Sequence, residues 1–265
     1  MYFTKMQGLG NDYLYVYGEA PENAGELSVK LSDRHFGAGS DGMIYISPSS
    51  VADYKMRIFN ADGSEAKMCG NGIRCVGKYL YDKGITDKTT LKIETLSGIR
   101  TLVLNVVYGK VNSVCVDMGA AVCGEDTTVT ANGENVTLTP VSVGNPHAVI
   151  FVRDAETAPV QKLGSAIEKH SAFPGGVNVE FVQVLDRHTL RMRVWERGSG
   201  ITMACGTGAC ASVAAAVKKG YVTEGEFVRV RLDGGDLKIK VTGGNVIMEG
   251  PARFVYEGKT EEGAA

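Results

Sequence analysis

Met68-Cys69-Gly70-Asn71-Gly72 and Ala204-Cys205-Gly206-Thr207-Gly208 are near-copies of one another, 136 positions apart in a chain of 265 residues. Each sets a cysteine ahead of Gly-x-Gly and then runs into a stretch of helical character. The first turn of a helix leaves backbone N–H groups without partners, so each copy puts a thiol beside a ring of free donors. Glycine at 70, 72, 206 and 208 lets an anion approach that backbone. Two matched thiols suit a reaction that takes a proton from one face of a carbon and returns one to the other.

The match extends outward from the two motifs. Met56-Arg57-Ile58-Phe59 aligns with Met192-Arg193-Val194-Trp195, Lys83-Gly84 with Lys219-Gly220, and Leu96 and Gly98 with Leu232 and Gly234. Gly39 falls on Gly175, Met43–Ile46 on Val179–Val182 and, at an offset of 134, Gly10-Asn11 on Gly144-Asn145. The 34 glycines raise the number of chance matches, but seven groups in one order with almost no drift outweigh them. The chain therefore reads as two halves of similar structure, with a boundary near the Gly-containing turn Met118–Glu125.

Each half is rich in strands. Tyr54–Phe59, Lys92–Leu96, Arg100–Val107 and Val111–Asp117 alternate or run apolar with β-branched residues. Val179–Leu185, Leu190–Trp195, Phe227–Leu232 and Leu237–Val241 do the same in the second half. The spacing predicts helices over Gly70–Lys83 and Gly206–Lys219, each ending in Lys-Gly, a cation near the negative helix end and a glycine to close it. The second of these is small and apolar all round, as for a helix buried on every side. Gln161–His170 reads as a third, amphipathic helix. The tail 257–265 reads as frayed.

Composition bounds the function. The net charge is −2 with no block of like charges, so the electrostatic footprint of a nucleic-acid binder is missing. No apolar run has the length of a secretory signal or a membrane span, which predicts a soluble cytoplasmic protein without a membrane partner. The six cysteines stand at 69, 75, 115, 123, 205 and 210. A reducing compartment argues against disulfides, and their spacings are not those of zinc sites. The four histidines, 35, 147, 170 and 188, also lack ligand spacing, so no metal is expected.

A free thiol ionises near about pH 8.5, so few are thiolate at neutral pH. A helix start stabilises the anion, and the same N–H groups can hold a substrate carboxylate. If both helix starts clamp one carboxylate, the sulfurs flank the adjacent carbon at near-attack distance, roughly 7 Å from each other. A single Cys-Gly-x-Gly would read as a structural cysteine; the matched pair in a repeated chain points to catalysis by Cys69 and Cys205. Cys75, Cys115, Cys123 and Cys210 have no such context and read as small core residues.

The two cysteine motifs, run on to Cys75 and Cys210, closely resemble those of the diaminopimelate epimerases. So do Gly8-Leu9-Gly10-Asn11-Asp12, Phe59-Asn60-Ala61-Asp62-Gly63-Ser64, Gly144-Asn145-Pro146-His147, Val177-Asn178-Val179 and Trp195-Glu196-Arg197-Gly198. The matches run from residue 8 to about 215 in the family's order. The resemblance implies an α+β fold of two pseudo-symmetric halves, each a mostly antiparallel, barrel-like sheet wrapped around a central helix. It implies an N-terminal half over 1–118 joined by the tail 252–265, a C-terminal half over 119–251, and a site in the cleft between them. The activity implied is a cofactor-free and metal-free interconversion of LL- and meso-2,6-diaminopimelate by a homodimer, which leads to lysine and to peptidoglycan precursors. Cys69 and Cys205 would be the two bases. Gly70, Asn71, Gly206 and Thr207 would bind the reacting carboxylate, and Asn11, Asn60, Asn145, Asn178, Glu196 and Arg197 the rest of the substrate. His147 and Glu196 would support proton transfer or orient the thiols.

The repeat sharpens these roles. Asn11 pairs with Asn145, Gly42 with Asn178, Asn60 with Glu196 and Ala61 with Arg197. The clamping loops are symmetric and act on the reacting centre. The unmatched Asn178, Glu196 and Arg197 are expected to read the distal end, with Arg197 as a bidentate fork. His35, His170 and His188 read as surface or structural. The sequence departs from the family at Gly42, where some members carry glutamine, and at Ile201, a position often acidic. The nearest rival is a racemase of proline or 4-hydroxyproline on the same two-thiol scaffold, whose members typically carry histidine where Asn71 stands. A Cys69–Cys205 thiol switch and a plain binding protein for dicarboxylic amino acids are the remaining readings.

Overall fold

The computed structural model describes residues 1–261, so residues 262–265 of the tail lie outside the described residues. The first half holds β1 (Tyr2–Gly8), β2 (Asn11–Tyr17), α1 (Ala24–Ser32), β3 (Gly42–Pro48), β4 (Tyr54–Asn60), β5 (Glu65–Ala66), α2 (Gly70–Asp82), β6 (Thr90–Thr95), β7 (Gly98–Val107) and β8 (Lys110–Ala120). Then come β9 (Val122–Cys123), β10 (Thr127–Ala131), β11 (Glu134–Ser142), β12 (Pro146–Phe151), α3 (Val160–Glu168), β13 (Asn178–Asp186), β14 (Thr189–Glu196), β15 (Gly200–Ile201) and α4 (Gly206–Lys218). The chain closes with β16 (Phe227–Leu232), β17 (Gly235–Thr242), β18 (Asn245–Gly250) and β19 (Arg253–Lys259). It divides into two compact units, Met1–Val116 with the described residues from Gly250 on, and Asp117–Glu249.

Both units are built on one plan. In the first, hydrogen-bonded neighbours run β19–β1–β2–β3–β4–β6–β7–β8, antiparallel except for the β2–β3 and β4–β6 pairs. In the second they run β10–β11–β12–β13–β14–β16–β17–β18, with the parallel pairs at the matching places, β12–β13 and β14–β16. Register agrees residue by residue. Leu14 lies opposite Met43 and Ala148 opposite Val179, while Ile44 lies opposite Ile58 and Glu180 opposite Val194. The fold is α+β in two pseudo-symmetric halves, each a mostly antiparallel sheet around a helix.

The central helices follow from their sequences. Ten residues of α4 are buried, among them the run Gly208–Ala216, and the helix touches seven strands of its own sheet. Small side chains let the sheet close on it from all sides. Helix α2 keeps more polar residues but buries Ile73, Cys75, Val76 and Leu80. Each ends on a capping lysine, 83 or 219, whose backbone N–H bonds back into the last turn, followed by a glycine with positive φ.

Four local readings change. Residues 118–120 are not a turn but the end of β8, because the strand continues past the unit boundary. Residues 257–259 are not frayed: β19 pairs with β1 from Tyr2–Lys259 to Gln7–Arg253, filling in the first unit the place that β10 fills in the second. Helix α1 has no counterpart in the sequence reading. Gly25, Val29 and two serines give it weak intrinsic propensity, and tertiary packing of Ala24, Leu27 and Leu31 holds it. Finally, Cys115 and Cys123 are half-buried rather than core residues, unlike Cys75 and Cys210.

Candidate active site

Each motif cysteine is the residue before its helix and serves as the helix cap. Cys69 has extended backbone (φ −136°, ψ 114°) and its sulfur accepts the Gly72 N–H at 3.3 Å. Cys205 (φ −113°, ψ 109°) accepts the Gly208 N–H at the same distance. A sulfur here takes the place of the hydroxyl or carboxylate that usually caps a helix. Space is also short at both glycines. A Cβ on Gly72 would lie 2.7 Å from Ile44 Cδ1, and one on Gly208 would lie 2.6 Å from Glu180 Oε1.

Around Cys69 the first unit assembles amide, phenol and guanidinium groups, with carboxylates one contact further out. The thiol donates to Asn11 Oδ1 at 3.3 Å, and Asn71 Nδ2 reaches the same oxygen at 3.5 Å. Asn11 cannot turn over, because its Nδ2 donates to Asp41 Oδ2 at 2.7 Å. Asp41 also accepts the Asp12 N–H, and Arg34 bridges Asp12 and Asp41. The fully buried Arg74 donates to Gly70 O at 3.1 Å and to Asn71 Oδ1 at 2.9 Å, fixing the helix start from behind. Burial pushes the Cys69 thiol above its ordinary range, and the Gly72 N–H, the Tyr13 hydroxyl, the Asn71 N–H and the Arg74 charge offset part of that.

Around Cys205 the second unit assembles a shell with acidic groups. Thr207 Oγ1 lies 3.6 Å from the sulfur and accepts from Asn145 Nδ2 at 3.3 Å. Asn145 Oδ1 faces His147 Nε2 at 3.0 Å, and His147 Nδ1 faces Glu180 Oε1 at 2.7 Å. His147 and Glu180 side chains are both fully buried. Glu196 takes a hydrogen bond from Thr202 Oγ1, and burial raises its carboxyl above the ordinary range, the nearby Glu180 adding to the rise. Burial, then the charges of Glu196 and Glu180, hold the Cys205 thiol well above the ordinary range. The helix start was expected to favour the thiolate. It does so on both sides, but desolvation outweighs it.

The other expected residues divide. Asn178 is buried, donates to Pro146 O at 3.2 Å and accepts the Arg197 N–H at 3.0 Å, so it ties the Arg197 turn to the start of β12. The Arg197 guanidinium is exposed and donates to Gly175 O at 2.9 Å. Asn60 donates to Ser64 Oγ at 3.1 Å. At Gly42 a Cβ would lie 2.2 Å from Phe59 O, so this backbone leaves no room for a larger residue there. Ile201 is 45 % exposed on β15.

Among the residues of these shells, Tyr13, Asp41, Arg74 and Glu180 carried no role in the sequence reading, nor did Asp12, Arg34 and Thr202. By the repeat, Tyr13 is the counterpart of His147 and Ile44 that of Glu180. Glu180 did leave a signal, a carboxylate inside the run Val177–Val184 in which residues 177–182 are all buried. Arg74, among Ile73, Cys75 and Val76, left a similar one.

Among the described residues no group of three or more metal-ligating side chains occurs, and no helix is long and apolar enough to cross a membrane. The sequence profile of a family described as diaminopimelate epimerase matches residues 3–124 and 139–255. The chain is 50 % identical over 278 residues to a diaminopimelate epimerase of Methanococcus maripaludis, covering 98 % of this chain and 100 % of that one. A diaminopimelate epimerase of Acetivibrio thermocellus is also 50 % identical, with 98 % and 99 % covered. Among solved structures, a phenazine biosynthesis protein of the PhzF family from Bacillus anthracis superposes with a TM-score of 0.81 at 16 % identity, covering 98 % of each chain. A hydroxyproline epimerase from Agrobacterium vitis superposes with a TM-score of 0.75 at 18 % identity, covering 98 % of this chain and 90 % of that one. These two share the fold; the sequence relatives and the profile settle the membership, and the chain belongs to the diaminopimelate epimerase family.

Proposed function

We propose that this chain interconverts LL- and meso-2,6-diaminopimelate by a two-thiol mechanism. One of Cys69 and Cys205, as thiolate, takes the α-proton. The other, as thiol, gives a proton to the opposite face of the resulting carbanion. The reverse reaction starts with the roles exchanged. Each turnover moves protons only, so the reading needs no metal or cofactor. The observation that carries it is the duplicated helix start, a sulfur held against free N–H groups in each half, within a chain half identical to named diaminopimelate epimerases.

In this reading the reacting carboxylate sits on the N–H groups of Gly70, Asn71, Gly206 and Thr207. Those groups also stabilise charge as it delocalises into the carboxylate. Asn11 and Asn145 hold the reacting centre, while Asn60, Asn178, Glu196 and Arg197 take the distal amino-acid end. Glu196, whose raised carboxyl lies beside Cys205, exchanges a proton with that thiol between turnovers. His147 acts on Cys205 only through Asn145, since both its ring nitrogens are engaged. The reading requires the two helix starts, residues 69–72 and 205–208, to meet at one substrate in a cleft between an N-terminal half over 1–118 with 252–265 and a C-terminal half over 119–251. By the same family resemblance, the enzyme works in the cytoplasm as a homodimer. The proline and hydroxyproline racemase reading is not favoured, because those proteins share the fold at 16–18 % identity only.

Incubation with LL-diaminopimelate in deuterated water tests the reaction. Deuterium at one α-carbon together with meso product is the expected result; exchange on proline in place of diaminopimelate would shift the reading to the racemases.

A further inference from the structure

Glu180 stands out among the groups that the mechanism above leaves unused. Its side chain is fully buried, yet Oε2 has no hydrogen-bond partner among the described residues. Its counterpart in the first half is Ile44, and both press on the first turn of the central helix, at Gly208 and Gly72 respectively.

We propose that Glu180 is a positioning residue for the Cys205 centre, keeping His147 doubly protonated and so lining up Asn145 and Thr207 as a one-way chain of donors that ends on the Cys205 sulfur. The inference rests on the two-thiol reading and deepens it. His147 Nδ1 lies 2.7 Å from Glu180 Oε1 and, facing a carboxylate, is the donor in this arrangement. Nε2 faces the amide oxygen of Asn145 at 3.0 Å, an acceptor, so that nitrogen must carry a proton too. With its oxygen held by His147, Asn145 turns its NH2 to Thr207 Oγ1. The Thr207 hydroxyl proton is then free to point at the sulfur, 3.6 Å away.

A neutral His147 reverses the chain. The amide turns over to donate to Nε2, its oxygen takes the Thr207 proton, and Cys205 loses that donor. A buried imidazolium needs a paired anion, and Glu180 supplies it. The first half reaches the same end by a shorter route, since Tyr13, at the position of His147, gives its hydroxyl directly to Cys69. The ionisable groups acting on Cys205 are Glu196 on β14 and Glu180 on β13, with Thr207 and the Gly208 N–H of α4 bonded to its sulfur and His147 of β12 one contact further out, on Asn145. Glu180 by its charge alone opposes a Cys205 thiolate. Paired with an imidazolium it adds little net field, and the donor chain decides the sign.

That sign makes the test decisive. Iodoacetamide labelling of each cysteine, followed by peptide mass spectrometry, reads its thiolate fraction. In Glu180→Gln at about pH 8, Cys205 should label about tenfold more slowly than in the unsubstituted protein, with Cys69 changed less than about twofold. Faster labelling would mean that Glu180 acts only as a charge and would overturn the proposal, as would an unchanged rate. Nitrogen-15 spectra of histidine-labelled, unsubstituted protein provide a check that needs no stable variant at position 180. His147, assigned by the signal missing from His147→Gln, should show two protonated ring nitrogens at about pH 8, where a free imidazole is neutral; a single neutral tautomer overturns the proposal. If labelled Cys205 leaves deuterium exchange on diaminopimelate intact, it is the two-thiol reading that fails, whatever Glu180 does.

Discussion

At the residue scale the two thiols sit in matched backbone and unmatched electrostatics. Both are capped by an N–H three residues on, but Cys69 faces Asn11, Tyr13 and Arg74, whereas Cys205 faces Glu196 and Glu180. Replacement of either cysteine by alanine removes one of the two proton carriers. Cys69→Ala and Cys205→Ala should each lower epimerisation by about 10²–10⁴-fold or more, measured as meso product from the LL isomer. A single variant with near-normal rate would show that the second thiol is dispensable. The pH dependence follows from the direction of the shifts. Both thiols lie above their ordinary range, so the base is scarce at neutral pH and kcat/KM should rise from about pH 6 and still be rising beyond about pH 8.5. At higher pH it should fall again as the second thiol, which must donate, also ionises. A flat profile over that range would show that neither limb reports a thiol. The cysteines themselves were legible in the sequence because the motif occurs twice. The roles of Glu180 and Asp41 were not, because what matters about them is what they touch, His147 and Asn11, on strands 33 and 30 positions away.

At the element scale the central helices carry both the packing and the site. Ala215 is fully buried in α4, which packs against the strands of its own unit. Ala215→Leu adds volume that such a core cannot accept and should cost about 1–3 kcal/mol, read from urea denaturation midpoints. The helix starts give a sharper contrast. An added methyl at Gly72 meets the far end of Ile44, which can rotate away, whereas one at Gly208 meets Glu180, held by His147. Gly208→Ala should therefore lose more activity than Gly72→Ala, and equal losses would argue that the two helix starts are equally adaptable. The boundaries of α2 and α4 were predicted within a residue because lysine and glycine mark them chemically, whereas α3, without that pair, ends two residues before the expected His170. Helix α1 was invisible, since its serines and glycine suit a loop; Ser28 Oγ bonds to Phe59 O and Asn60 O only once β4 is in place.

For the molecule as a whole, the repeat is a repeat of strand order, register and parallel pairs as well as of motifs. The last strand makes the point, since β19 completes the first unit by pairing with β1 and covering Phe3 with Gly258 and Tyr256. Ending the chain at Ala252 should leave β1 with an open edge and cost roughly 2 kcal/mol or more from exposure of Phe3 alone. A lowered Tm with increased aggregation would check it; an unchanged Tm would show that β19 adds nothing to the first unit. The sequence by itself determined the duplication, the strand-rich halves, the two helices with their capping thiols and the family, because each is written in local periodicity or in residues adjacent along the chain. Only the tertiary structure decided that the tail, expected with the first half but read as frayed, is a paired strand, that α1 exists, and that burial raises both thiols. It also decided that a buried carboxylate sits behind one helix start and an isoleucine behind the other. Those features depend on desolvation and on contacts between residues tens to hundreds of positions apart, which no local pattern records.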